Sequence, residues 1–228
     1  MKTAIIVFPG TNREKDMADA LEHISGHRPK LIWHKETTLD NYDLIVLPGG
    51  FSYGDYLRCG AMAAHSPIMK EVIRQAERGT RIFGVCNGFQ MLVETQILPG
   101  ALLRNNSLKF ICKHVHLKAE NLNDTMTKQL ASSPIIHVPV AHGDGNYFAN
   151  DNILNALKEH NQIAFRYCDK TGDITKGNFN GSTDNIAGVY NKRKTVLGMM
   201  PHPENAILDH HKNTSGTGLF KGILDQLS

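Results

Sequence analysis

Residues 81–90 read R-I-F-G-V-C-N-G-F-Q, and no other stretch restricts the fold as much. An apolar run (Ile82, Phe83, Val85) meets a cysteine set between two glycines, and a helix-compatible apolar pattern (Phe89, Met91, Leu92) follows at once. The order predicts strand, sharp turn, helix. Gly84-x-Cys86-x-Gly88 is the spacing of a nucleophile elbow, with sulfur in place of the serine oxygen. Residues two positions either side of such a turn must lack bulk, because strand and helix leave it in close contact. A cysteine there sits at a helix N-terminus, where free N–H groups and the positive dipole end favour thiolate and a nearby oxyanion. On these ten residues alone a second reading stands beside it. Free cysteine is among the most buried residue types, and Cys86 is then a structural core residue between two chance glycines.

The flanking sequence sets the elbow in an α/β alternation. Residues 3–8 are a continuous apolar run, as expected of a strand buried on both faces. Pro9-Gly10-Thr11-Asn12 is a turn, and Met17, Ala20, Leu21 and Ile24 give a helical stripe that Gly26 stops. Strands at 30–34 and 43–47 follow, the second running into Pro48-Gly49-Gly50. Strand, helix and strand with short links predict a right-handed crossover and a parallel sheet. Segment 51–64 is glycine-containing and aromatic, with Tyr53, Tyr56 and Arg58. It starts at the C-terminal end of a parallel strand, where open α/β sheets place their sites. Pro67 opens a helix with Ile68, Val72, Ile73 and Ala76 inward, ended by Gly79; Pro99-Gly100 stops the elbow helix.

After Ala101 the alternation changes. Short strands at 108–112 and 115–117 suit antiparallel pairing, and 135–140 is another, ending at Ala141-His142-Gly143-Asp144-Gly145. Asn150 or Asp151 caps a helix with Ile153, Leu154 and Leu157. Strands at 163–167 and 186–190 enclose a polar loop, 169–185, and a last strand at 196–200 runs into Pro201-His202-Pro203-Glu204. A final helix has Ser215 or Thr217 near its cap and Leu219, Phe220, Ile223, Leu224 and Leu227 on one face. There is no internal repeat and no low-complexity linker. Residues 1–228 therefore read as a single α/β domain with a flavodoxin-like, open, mostly parallel sheet flanked by helices.

Composition narrows the function classes. The net charge is +3, from 25 basic and 22 acidic residues. The densest basic run, Lys192-Arg193-Lys194, reads as a hairpin turn rather than a nucleic-acid patch. Cys59, Cys86, Cys112 and Cys168 are widely spaced with no C-x-x-C, which supports neither a disulfide framework nor a zinc knuckle and fits a reducing cytoplasm. The N-terminal apolar run is broken too soon for a signal peptide, and no stretch approaches a membrane span. G-x-G-x-x-G, G-x-x-x-x-G-K and H-E-x-x-H are absent, and His114-x-His116 lacks further ligands for a metal.

Amide cleavage by a cysteine needs a base, an oxyanion stabiliser and a proton for the leaving amine. Among twelve histidines, His202 is distinctive: it follows a buried strand, and prolines on both sides fix its backbone. Glu204 can bond one ring nitrogen and set the tautomer, as the acid of a triad does. The oxyanion donors expected are the N–H of Asn87, next after the nucleophile, and one from the loop Gly49-Gly50-Phe51.

These motifs together resemble the class I (triad) glutamine amidotransferases. Residues 47–64 (L-P-G-G-F-S-Y-G-D-Y-L-R-C-G-A-M-A-A), 100–113, 141–145, 178–182 and 198–204 resemble, within that family, the glutaminase subunits of phosphoribosylformylglycinamidine synthase. The likeness runs along essentially the whole chain. Departures are Asp144 where Glu is usual, and Lys113 and Asn205 where Arg is common. The resemblance implies a class I amidotransferase fold. It assigns Cys86, His202 and Glu204 to catalysis, Gly50, Phe51 and Asn87 to the oxyanion hole, and Gln90 to glutamine binding. It also implies no metal and no cofactor in this chain. ATP and magnesium are expected on a large synthase subunit, which works with a small third subunit. Two other readings use the same scaffold: an amidotransferase serving another ammonia acceptor, and a cysteine hydrolase of the ThiJ/PfpI kind. The latter typically places histidine directly after the cysteine, where this chain has Asn87. A non-enzymatic flavodoxin-like binding module leaves the cysteine, histidine and glutamate set without a purpose.

Overall fold

In the computed structural model, which describes residues 1–225, the apolar runs become strands that pair in parallel. They are β1 (Thr3–Val7), β2 (Lys30–Trp33), β3 (Leu44–Leu47), β4 (Arg81–Val85) and, from the far end of the chain, β11 (Val196–Met199). Their order is β2-β1-β3-β4-β11. The central members are buried along almost their whole length, which is why they read as continuous apolar runs. The helices between them are α1 (Glu14–Ser25), α2 (Ala61–Ala64), α3 (Pro67–Arg78) and α4 (Asn87–Glu94). Gly26 and Gly79 end α1 and α3 at φ 72° and 90°, left-handed positions that glycine adopts without a Cβ penalty.

The second half of the chain extends the same sheet with antiparallel strands. These are β6 (Ile111–Ala119), β7 (Ile135–His142), β9 (Ile163–Cys168) and β10 (Ile186–Tyr190), added beyond β11 in the order β10-β9-β6-β7. The β10–β11 hairpin pairs Tyr190 with Leu197, and Lys192–Lys194 lie in its turn. A separate two-stranded sheet joins β5 (Ala101–Leu103) to β8 (Asn146–Phe148), and α5 (Asp151–Glu159) and α6 (Thr217–Leu224) complete the helices.

Several boundaries differ from the sequence reading. The strands expected at 108–112 and 115–117 are one strand, β6, and Leu108 and Phe110 precede it, exposed. β7 runs on to His142. The β5–β8 pair was not anticipated, because three-residue strands carry too short a pattern. Asn150 is the cap of α5, its Oδ1 accepting the Ile153 N–H at 2.9 Å. Neither Ser215 nor Thr217 caps α6, which follows Gly216; Ser215 instead exchanges hydrogen bonds with the His137 backbone. Leu227, placed on the α6 face by its spacing, lies outside the described residues.

Two consequences position the site. Successive residues of a strand point to opposite faces. Phe83 of β4 meets Phe220 of α6 edge-on, ring centroids 5.9 Å apart, and Gly84 faces Leu92 of α4, so α4 and α6 cover opposite faces. The antiparallel half also curls back on the parallel half: β7 ends the strand order, yet the His202 N–H beyond β11 donates to Pro139 O of β7 at 2.9 Å. That curl sets residues 141–145 beside the elbow.

Candidate active site

Cys86 holds φ 51° and ψ −108°, a conformation that costs an L-residue on the order of 1–3 kcal/mol and persists only when its surroundings over-determine it. Those surroundings are visible. The Cys86 N–H donates to Met199 O at 2.8 Å, and its carbonyl accepts the Gln90 N–H at 3.0 Å, starting α4. A Cβ at Gly88 would lie 1.9 Å from Leu47 O, and one at Gly84 would lie 2.5 Å from Leu92 Cδ1. The two glycines are there because the chain has no room for a side chain, as the elbow reading required.

The parallel register Met199↔Val85 brings the turn after β11 next to the elbow. Glu204 Oε1 lies 2.7 Å from His202 Nδ1, with the carboxylate fully buried and the ring 3% exposed. A carboxylate only accepts, so Nδ1 carries the proton. Nε2 is buried without a hydrogen bond of ordinary length. Gly49 makes room for the ring, since a Cβ there would lie 2.7 Å from His202 Cε1. Burial pushes the imidazolium down, but the Glu204 carboxylate and then Cys86 outweigh it and hold the ring's pKa up at about 10. A ring protonated at neutral pH is the counter-ion a thiolate needs. Arg13 adds positive charge: it pairs with Asp16 at 2.7 Å and acts on both Glu204 and Cys86, while Asp16 accepts from Asn205 Nδ2 at 3.3 Å. This link from α1 to the base turn was not foreseen.

The oxyanion loop differs in one respect from expectation. The Phe51 N–H donates to Gly10 O at 2.9 Å, because 49–51 pairs with 10–12 around a Thr11–Gly50 bridge. Phe51 is therefore no N–H donor to the site. Among the described residues, neither the Gly50 N–H nor the Asn87 N–H donates to another group, and these two remain available to an oxyanion. The Asn87 side chain is occupied in building the loop. It accepts the Ser52 N–H at 3.0 Å and donates to Gln90 Oε1 at 2.9 Å and Asp55 Oδ1 at 3.3 Å. Gln90 in turn donates through Nε2 to the Asp144 carbonyl at 2.8 Å. One N–H and one lone pair of that amide remain for a ligand, and the side chain ties α4 to the wall after β7.

Cys86, Gln90, Gly50, Phe51, Asp55 and Asp144 line one cleft of about 310 Å³. A wider depression of about 420 Å³ beside Gln96 and Arg193 holds neither cysteine nor histidine. Residues not singled out in the sequence complete the cleft: Cys59 donates to Asp144 Oδ2 at 3.1 Å, and Arg104 Nε lies 3.5 Å from Asp144 Oδ1. His142 also lines it; the fully buried Asn105 fixes that ring through Oδ1···Nδ1 at 3.1 Å. Burial, then His202, lower the His142 pKa to about 4, so it stays neutral. All of these lie in segments 51–64, 100–113 and 141–145, which the sequence marked by motif likeness and, for 51–64, by its start at the C-terminal end of a parallel strand. No group of three or more His, Cys, Asp or Glu among the described residues is arranged to hold a metal ion, and no helix among them is long and apolar enough to cross a membrane.

A nucleophile on a strained elbow, a buried histidine–carboxylate pair and two available N–H donors constitute the apparatus of acyl transfer through a thioester. The chain is similar to known proteins along nearly its whole length. Residues 1–220 match the CobB/CobQ-like glutamine amidotransferase domain. The phosphoribosylformylglycinamidine synthase subunit PurQ of Nitrobacter hamburgensis is 52% identical over 229 residues, covering 100% of this chain and 98% of the relative. PurQ of Rhizobium etli is 52% identical over 225 residues, covering 99% and 98%. A chain in the structure of PurLQS from Thermotoga maritima superposes with a TM-score of 0.87 at 41% identity, covering 100% of this chain and 99% of that one. The glutaminase domain of Trypanosoma brucei CTPS, 15% identical with a TM-score of 0.62 over 98% of this chain and 94% of that one, shares the fold. The chain belongs to the CobB/CobQ-like glutamine amidotransferases, in the family of the PurQ subunits of phosphoribosylformylglycinamidine synthase.

Proposed function

We propose that this chain is the glutaminase subunit of a phosphoribosylformylglycinamidine synthase in purine biosynthesis, with all of residues 1–228 serving as one amidotransferase domain. The observation that carries the reading is the Cys86 elbow set beside the buried His202–Glu204 pair. Cys86 Sγ attacks the carboxamide carbon of glutamine, and Gly50 and Asn87 N–H groups stabilise the oxyanion. The C–N bond breaks as His202 gives its proton to the departing nitrogen, releasing ammonia and leaving a glutamyl thioester. His202, oriented by Glu204, then takes a proton from water, which attacks the thioester and frees glutamate. Phe51 forms part of the cleft wall, and Gln90 ties the wall after β7 to α4.

Forming an amidine from an amide requires activation of the amide oxygen. The sequence has no nucleotide loop, so ATP and magnesium act on the synthase subunit, where the ammonia converts formylglycinamide ribonucleotide to formylglycinamidine ribonucleotide. Ammonia free in water at neutral pH is mostly ammonium and has no lone pair, so its transfer is enclosed. The synthase therefore covers the cleft mouth. Tyr56 and Leu57, 88% and 70% exposed beside the cleft, are suited to the contact. The four free cysteines fit a cytoplasmic setting.

The test uses the chain assembled with the large synthase and small third subunits. Glutamine carrying ¹⁵N in its amide should deliver the label to the amidine. Cys86→Ala should abolish that transfer and leave synthesis from added ammonium salt intact. Glutamine-dependent synthesis that survives Cys86→Ala overturns the reading.

A further inference from the structure

The base turn and the oxyanion loop are joined by side chains that lie outside the cleft, and Arg13 is at their centre. It occupies the N-cap position of α1, and its N–H donates to Gly49 O at 3.3 Å. A trans peptide points its C=O and its N–H to opposite sides. The bond to Gly49 O therefore turns the next N–H, that of Gly50, the other way, and Gly50 is one of the two donors available to an oxyanion. The Arg13 stem runs along Gly49: a Cβ on that glycine would lie 3.4 Å from Arg13 Cγ and 2.7 Å from His202 Cε1. At the far end Nη1 lies 2.7 Å from Asp16 Oδ2, and the same oxygen accepts from Asn205 Nδ2 at 3.3 Å. Asn205 follows Glu204 directly, and its own N–H donates to His202 O at 3.3 Å. One residue thus holds the donor loop through its backbone and the base turn through its side chain and Asp16.

The charge of Arg13 bears on the same turn. Burial opposes that charge, but Asp16, then Glu204 and Cys86, outweigh it. Glu204 is fully buried, and among the described residues its Oε2 accepts no hydrogen bond. While His202 is protonated, the ring neutralises the carboxylate. Once the ring has given its proton to the departing nitrogen, a buried carboxylate stands beside a neutral imidazole, which is costly. His211 also acts on Asp16 and Glu204, but burial and then His210 lower its pKa from the ordinary 6.5, so it is neutral in mild alkali. Arg13 keeps its charge throughout.

We propose that Arg13 is a positioning residue for amide cleavage: through Gly49, Asp16 and Asn205 it fixes the oxyanion donor and the base relative to each other, and it supplies the positive charge that Glu204 lacks after proton transfer. The assignment rests on the glutaminase reading of Cys86. Arg13 is not among the residues that line the cleft, so it acts on the chemical step rather than on glutamine binding.

The experiment measures steady-state glutamine hydrolysis by the three-subunit complex at about pH 8, where His211 is neutral. Arg13→Gln should lower kcat about tenfold and change KM less than about twofold. Arg13→Lys keeps a cation within reach of Asp16 and should stay within about threefold of the wild-type kcat. Arg13→Gln combined with Asn205→Arg should regain most of the loss, because Asn205 already reaches the Asp16 carboxylate and a guanidinium there returns the charge beside Glu204. The Arg13 and Asp16 side chains are 39% and 35% exposed, and pairs so exposed add little to stability, so the urea midpoint should not move. Unchanged kcat in Arg13→Gln overturns the proposal. So does a loss confined to KM, a loss that neither Arg13→Lys nor Asn205→Arg repairs, or a kcat that simply follows the urea midpoint across the variants. The glutaminase reading fails on a different result, glutamine turnover without Cys86, so the two failures are distinguishable.

Discussion

Glu204→Gln removes a charge while keeping an oxygen that can accept from His202 Nδ1. In the wild type the ring is held at about 10 against an ordinary 6.5, with burial opposing Glu204 and Cys86. That displacement is worth roughly 5 kcal/mol in favour of the protonated ring. With the carboxylate gone, burial meets only Cys86, and the ring should titrate more than about one pH unit lower, toward the ordinary value. The assay is an NMR titration of the His202 imidazole in the full chain. Linkage gives a second readout. A group raised on folding contributes fully below its unfolded pKa and loses that contribution as pH rises to the folded one. Wild-type stability from His202 should therefore decline between pH 6.5 and about 10, and Glu204→Gln should flatten the decline. Glutaminase turnover should fall about 10²- to 10⁴-fold. A variant ring titrating within about half a pH unit of wild type refutes the electrostatic reasoning.

Gly88→Ala puts a Cβ 1.9 Å from Leu47 O; it should cost about 1–3 kcal/mol in urea denaturation and slow Cys86 alkylation, and wild-type values for both would contradict the steric account. Replacing Tyr56 and Leu57 together by Asp should abolish co-elution with the synthase while Cys86 alkylates at the wild-type rate; an intact complex would place the interface elsewhere. The His137 ring lies 4.4 Å from that of His116 and 5.1 Å from that of His114. Burial, then these neighbours, lower its pKa, so stability should fall as pH drops below 6.5, and His137→Gln should remove part of that acid-side loss in denaturation curves.

What the sequence revealed and what it hid divide along chain distance. The elbow was legible because its constraint is local: Gly84, Cys86 and Gly88 encode a turn whose neighbours must be small, whatever the rest of the chain does. The His202–Glu204 pair was legible for the same reason, two residues apart between prolines. The parallel strands announced themselves as unbroken apolar runs. Phe51 was misjudged because the group that takes its N–H, the Gly10 carbonyl, belongs to a loop after another strand. The single strand β6 read as two because Leu108 and Phe110 are apolar but exposed, while Lys113 and His114 interrupt the apolar pattern on its open end. Asp55, Arg104, Asn105 and Asp144 converge only because the antiparallel half curls back on β11. No periodicity in a single sequence encodes that curl, and family likeness marked the segments without assigning their roles.

The central claim is that Cys86 carries the glutamyl group. Acid quenching of the assembled complex during turnover with ¹³C-labelled glutamine, followed by peptide mass spectrometry, tests it directly. A labelled glutamyl thioester on the peptide containing Cys86, absent in Cys86→Ala and enriched when His202→Asn slows hydrolysis, is the predicted result. Steady turnover with no acyl group on Cys86 at any quench time, or with the label on Cys59, would contradict it.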